Sequence, residues 1–234
     1  MSGGHPPVRA VVLAGHGTVF DSTGAVRAAQ DALAGRAEAL AALWQTKRFE
    51  YAWIATATGR KTELWEITGE ALDHAMGAFG VGHDRLLRAR LMQGMLQAPP
   101  FPDAKPALRA LAGNRTRPVA LLTNASAMMA TATAKAGDVF GLFDALLSAE
   151  PTGVFKPSPA VYQLAATRFG VTPGEIAYVS AHAWDVAGAA LAGMQAIWLN
   201  RGGARAEYAW APPAATIASL ADLPALLGAA QAAA

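Results

Sequence analysis

Five short apolar runs punctuate the chain: VRAVVLA (8–14), PVALLTN (118–124), ALLSAE (145–150), IAYVSA (176–181) and QAIWLN (195–200). Each has strand length, turn residues at its ends and no polar alternation, which predicts strands buried on both faces. Helical stretches follow most of them, such as SPAVYQLAATRFG (158–170), closed by Gly170, and AWDVAGAALAGM (183–194). The alternation predicts βαβ units and an α/β fold with a mostly parallel sheet covered by helices on both faces.

Residues 23–97 break this rhythm. They hold no convincing strand and read as helix in RAEALAALWQTKRFEYAWIATA, TELWEITGEALDHAMGAF and DRLLRARLMQGML. A simple crossover needs one helix, so the segment is an insertion of several, predicted as a helical cap over a core formed by 1–22 and 98–234. The prolines of QAPPFPDAKP (97–106) mark the return to the core, because proline cannot continue a helix interior. The Ala-rich tail GAAQAAA predicts a frayed helix end.

Composition narrows the function classes. Of 234 residues, 53% are hydrophobic and only 15% charged, which predicts a packed core rather than disorder. Nineteen Lys+Arg against seventeen Asp+Glu form no basic run, so no nucleic-acid partner is expected. The absence of cysteine removes disulfides, thiolate metal sites and cysteine nucleophiles. No apolar run approaches the ~20 residues of a membrane span, and MSGGHPPVRA lacks a signal segment. The expectation is a cytoplasmic protein without membrane association.

Open α/β sheets bind ligands beyond the carboxyl ends of their strands. That rule selects Ala14 to Thr18, with His16 among them, then Thr123 and Asn124, Lys156, and finally Ser180, His182 and Asp185. Nucleotide and serine-hydrolase motifs are missing: GHGTVF supplies two glycines of G-x-G-x-x-G, and there is no Walker A, H-E-x-x-H or G-x-S-x-G sequence.

These clusters, in this order, resemble the haloacid dehalogenase superfamily, in its L-2-haloacid dehalogenase branch. LAGHGTVFD matches an opening motif of the form F-D-x-Y-G-T-L-F-D. TNAS (123–126) matches S-N-G-S, FKPSPAVYQL (155–164) matches Y-K-P-D-x-x-V-Y-x-L, and SAHAWDVAGA matches S-N-A-W-D-x-x-G-A. WLNR follows, and LWQTKRFEYAW (43–53) matches a cap motif of the form L-W-R-x-K-x-x-E-Y-x-W. The resemblance covers almost the whole chain and implies a Rossmann-like core, a helical cap after the first strand and a homodimer. It also implies a pocket that includes Thr18, Gln45, Phe49, Leu64, Thr123, Asn124, Tyr162, Ser180 and Trp184.

The departures bear on chemistry. The resemblance implies a nucleophilic aspartate at position 14 and a substrate-holding arginine at position 45, where this chain has Ala14 and Gln45. A methyl group cannot attack carbon, and a neutral amide cannot replace a guanidinium. Asp21 is a poor substitute, since the family already carries a carboxylate there. An aromatic and an asparagine of the motifs have become His16 and His182. Singly each is a hydrogen-bonding pocket residue. Together, with Asp185 orienting and Lys156 supplying charge, they are compatible with haem-iron or transition-metal ligation by His16 and His182, or with acid–base activation of water. Magnesium is not expected, because its superfamily site needs the carboxylate missing at position 14. The alternatives are a catalytically silent binding or scaffold protein, and a 2-haloacid hydrolase working by direct water attack. Lys156 points to an anionic ligand or to a buried partner such as Asp185; Asn124 is a candidate carboxylate binder or helix cap. Phe49 and Leu64 suit a flat or apolar ligand body. His74 and His83 carry no chemical expectation, and His5 is expected to be disordered.

Overall fold

A computed structural model describes residues 6–27, 29–33, 35–114 and 116–232. His5 and the last two alanines of the tail lie outside them. Six strands form one parallel sheet: β1 (Ala10–Ala14), β2 (Val119–Thr123), β3 (Ala145–Ser148), β4 (Ile176–Ser180), β5 (Gln195–Leu199) and β6 (Ala215–Ile217). Their order is β3-β2-β1-β4-β5-β6, so the chain reverses direction across the sheet beside β1. The fold is the expected α/β, Rossmann-like arrangement. The sixth strand is an addition to the five read from the sequence: ATI is too short to stand out from the proline-rich loop before it.

Residues of β1 are buried along their whole length and alternate between two cores. Val11 and Leu13 face a cluster with Leu108 and Leu111 of α5 (Ala104–Asn114), Ala130 and Ala134 of α6 (Ala127–Ala136) and Leu223 and Leu227 of α9 (Leu223–Ala232). Ala10, Val12 and Ala14 face the other, with Val161 and Ala165 of α7 (Pro159–Phe169) and Val186 and Ala189 of α8 (Ala183–Leu191). Period-two alternation in an apolar strand therefore serves two helical layers. Pro106 sits in the first turn of α5, where a missing N–H costs nothing, so that helix begins before the last proline of the return segment.

Between β1 and β2 run α1 (Gly24–Arg27), α2 (Ala37–Thr58), α3 (Leu64–Ala78) and α4 (Arg85–Leu96). They share an apolar cluster of their own around Leu40, Trp44, Leu72, Met76, Leu91 and Met95. A second cluster joins Ala52, Ala55, Leu64 and Ile67 of these helices to Ala125, Met129 and Phe155. The buried residues of α2 are Leu40, Trp44, Arg48, Ala52 and Ala55, one stripe at helical spacing with a charge at its centre. Asp84 caps α4 by accepting from the Leu87 amide at 2.8 Å. Gly94 lets α4 approach α1, since a β-carbon there would lie 2.2 Å from Ala25 Cβ.

Gly94→Ala is therefore expected to lower unfolding free energy by about 1–3 kcal/mol through overpacking. Urea denaturation checks it; an unchanged midpoint would mean that α1 does not need that close approach.

Candidate active site

The carboxyl ends of the strands meet the inserted helices at a cavity of about 50 Å³. Its lining includes Ala14, Gly15, His16, Arg48, Phe49, Ala52, Leu64, Thr123, Asn124, Lys156, His182, Trp184 and Asp185. The topology explains the convergence: β1, β2 and β4 are adjacent and parallel, so their following loops emerge side by side.

The loop after β1 is wound tightly around one carbonyl. Gly15 O accepts from the amides of Thr18 (3.1 Å), Val19 (2.8 Å) and Phe20 (3.2 Å). Gly17 takes φ +83°, and a β-carbon there would lie 2.5 Å from His182 Nε2, so glycine is required both for conformation and for space. Thr18 Oγ1 accepts from the Ala181 amide at 2.9 Å, tying the first loop to the fourth. Arg201 donates to Gly17 O (3.2 Å) and Thr18 O (2.9 Å) while paired with Asp103 at 2.8 Å. This clamp was not anticipated beyond the motif WLNR.

Both imidazoles point their Nε2 at backbone carbonyls: His16 at Met95 O and His182 at His16 O, each at 3.2 Å. A carbonyl only accepts, so in the neutral rings Nε2 carries the proton and Nδ1 the lone pair. Burial, followed by the charge of Arg48, lowers the His16 pKa from 6.5 to about 4. Burial also brings His182 to about 4, against a raising effect from Asp185. Both rings are neutral at pH 7. His182 is further enclosed by aromatics, with ring centroids 4.9 Å from Phe49 and 5.8 Å, nearly parallel, from Trp184. Trp53 packs on Phe49 and on Trp184.

Asp185 does not orient either histidine. Its Oδ1 accepts from Tyr162 OH at 2.7 Å and its Oδ2 from Tyr178 OH at 2.8 Å. Lys156 Nζ lies 3.4 Å from Oδ2, donates to Leu122 O at 2.8 Å and bonds Tyr178 OH. Both partners of this ion pair are buried. Burial lowers the lysine pKa while Asp185 opposes the shift, and burial beside Asp185 keeps both tyrosines protonated. Lys156 therefore has the buried partner that was one of its two expectations.

The remaining expected residues divide. Phe49, Leu64, Thr123, Asn124 and Trp184 line the cavity. Thr18, Tyr162 and Ser180 do not; all are fully buried, and they support the loops and Asp185 instead. Gln45 lies one helical step off the buried stripe, in a smaller adjoining cavity with Trp44, Arg48 and Met95. Asn124 is not a helix cap: Ser126 caps α6, and Asn124 Oδ1 accepts from the Lys156 amide at 2.9 Å. Asp21 is engaged by Thr23 and Arg27, away from the cavity. His74 and His83 are exposed.

Arg48 was missed, although it stands at an apolar position of the α2 stripe. It is 5% exposed, and burial lowers its pKa from 12.5 to about 10, still charged at neutral pH. Among the described residues its one hydrogen bond runs to Met95 Sδ at 3.7 Å, and no carboxylate pairs with it. The Phe49 ring lies 5.5 Å from its guanidinium carbon.

As to cofactors, no three His, Asp or Glu side chains gather as a metal site among the described residues. The cavity, about 50 Å³, is smaller than pockets for ligands of drug size, which span roughly 300–1,000 Å³. No described helix is long and apolar enough to cross a membrane.

A parallel sheet with the β1 switch point, an inserted helical layer and a cavity between them define a class, and the comparisons agree with it. The chain belongs to the haloacid dehalogenase-like hydrolases, which match residues 16–193. It is 36% identical over 223 residues to (S)-2-haloacid dehalogenase 1 of Pseudomonas sp. (strain CBS-3), covering 94% of this chain and 97% of that protein. With (S)-2-haloacid dehalogenase 4A of Burkholderia cepacia it shares 35% identity, over 92% of this chain and 93% of the other. The structure of L-2-haloacid dehalogenase from Xanthobacter autotrophicus with chloropropionic acid covalently bound superposes with a TM-score of 0.86. That match has 31% identity and covers 94% and 98% of the two chains.

The imidazoles predict a pH dependence. Their folded pKa of about 4 lies below the ordinary 6.5, so between these values the unfolded chain binds more protons. Their stability contribution is full above pH 6.5 and is lost as pH falls toward 4, by on the order of 1 kcal/mol per pH unit per ring, less where cavity solvent screens it. Urea midpoints at pH 7 and pH 5 measure this, and His16→Asn with His182→Asn should flatten the difference. Equal midpoints in the parent protein would show that the rings titrate freely.

Proposed function

We propose that this chain is a hydrolase of a short 2-substituted carboxylic acid that delivers water directly to carbon, with imidazole in place of a carboxylate nucleophile. The family supports the hydrolase class, and the relatives' names supply the substrate class. One observation carries the mechanism: the methyl of Ala14 shares a small cavity with two neutral imidazoles whose Nδ1 atoms have no hydrogen-bond partner among the described residues. The aspartyl route needs a carboxylate at the end of β1, and Asp185 cannot stand in, since lysine and two tyrosines hold both its oxygens.

In this reading His16 or His182 takes a proton from water at Nδ1. The water oxygen bonds the carbon bearing the substituent, and the carbon–substituent bond breaks with its electron pair leaving on the halide or other anion. The products are the 2-hydroxy acid, the released anion and a proton. General-base help of this kind contributes about 10²–10⁴-fold.

A catalytically silent binding protein is the second reading, favoured by the low basicity of both rings and by the aromatic packing that immobilises His182. Metal or haem ligation by His16 and His182 draws support from the two imidazoles alone. Its test is the absorption spectrum and metal content of the protein as purified.

A single turnover of 2-chloropropionate in ¹⁸O-water should place ¹⁸O in the first equivalent of lactate and none in the protein. His16→Gln or His182→Gln should cut kcat by about 10²–10⁴. Protein-derived ¹⁶O in that first equivalent, with ¹⁸O from the solvent entering a protein carboxylate, would restore an aspartyl ester route. No halide release from any 2-haloacid would favour the silent binder.

A further inference from the structure

We infer that Arg48 is the receptor for a single negative charge on the ligand, replacing the function that the resemblance places at position 45. The inference rests on the proposed reading for the identity of the ligand, but not for its binding.

A charge count of the cavity carries it. Lys156 is cancelled by Asp185 at 3.4 Å, and the tyrosines on Asp185 are protonated. The imidazoles of His16 and His182 are neutral at pH 7. Arg48 remains as the uncompensated charge among the lining residues. Its surroundings are a thioether at 3.7 Å and the Phe49 ring, neither of which replaces the hydration of a guanidinium. Removing a lone cation from water is unfavourable, and an anion bound in the cavity offsets that cost. A guanidinium has five N–H donors in a fork that matches a carboxylate, and one is spent on sulfur.

The position has a geometric reason. Residues 45 and 48 lie three apart on α2, nearly one turn, yet only 48 falls on the stripe Leu40, Trp44, Arg48, Ala52, Ala55. Gln45 reaches the adjoining cavity that Arg48 also lines. A cavity of about 50 Å³ holds only a few heavy atoms, and one guanidinium neutralises one charge, so the ligand class is a small monoanion rather than a dicarboxylate or phosphate ester.

Binding is separable from turnover by using an unreactive probe. Isothermal titration calorimetry of the parent protein with propionate should show one site, and neutral propionamide should bind at least tenfold more weakly. Arg48→Met should lose at least tenfold in propionate affinity with no change toward propionamide, and Arg48→Lys should fall between. Because Arg48→Met removes an unpaired buried charge, its thermal midpoint should not drop, which separates lost binding from lost folding. If Arg48→Met is poorly folded, the Arg48→Lys and propionamide comparisons decide. Equal binding of acid and amide by the parent protein, no propionate binding at all, or full propionate affinity in a folded Arg48→Met would overturn the inference. Arg48-dependent propionate binding without release of halide from any 2-haloacid leaves the inference standing and removes the hydrolase reading. Halide release with KM unaffected by Arg48→Met does the reverse.

Discussion

The buried pair of Lys156 and Asp185 is the constraint on which the site depends. Two charges inside the protein are tolerated because each is satisfied: the carboxylate by two tyrosine hydroxyls and the ammonium, the ammonium also by Leu122 O. The network joins β2, β4, α7 and α8, so it locks the sheet end that carries the cavity. It also engages both carboxylate oxygens of Asp185 with Lys156, Tyr162 and Tyr178. Once that pair is closed on itself, the electrostatics of the cavity are left to Arg48, and the imidazoles experience its charge together with the loss of water.

The inserted helices and the sheet each supply part of the site. Arg48, Phe49 and Leu64 come from the insertion, while Ala14, His16, Lys156 and His182 come from the strand ends. Their contact is not confined to the cavity, since Ala52, Ala55, Leu64 and Ile67 pack on Ala125, Met129 and Phe155. His182 belongs to both roles, stacked on Trp184 and bonded to the first loop across the space left by Gly17. Such a ring is held in one orientation, which suits a base and equally limits it. Relatives at 31–36% identity keep this scaffold, and a scaffold kept is not a reaction kept.

Much of the architecture was legible in the chain. Apolar runs such as AVVLA and IAYVS are buried on both faces and can only be central strands, so five of the six strands and the parallel α/β class followed from local pattern. The helical nature of the insertion was equally plain. The strand-end rule and the motifs also assemble His16, Asn124, Lys156, His182 and Asp185, all of which line the cavity. Arg48 is legible as a charge at the centre of an apolar helical stripe, whereas the cap motif places its arginine at position 45, three residues away.

Local sequence thus determined which segments are strand or helix and which residues emerge at the sheet end, because period and burial act over a few residues. Only the tertiary structure decided who pairs with whom: that Asp185 is taken by Tyr162, Tyr178 and Lys156, that Ser126 rather than Asn124 caps α6, and that Arg48 has no carboxylate partner among the residues that line the cavity. The pairing of Asp185 turns on distances of 2.7–3.4 Å between residues 7–29 positions apart in the chain, and a hydrogen bond that offsets desolvation weakens steeply with distance.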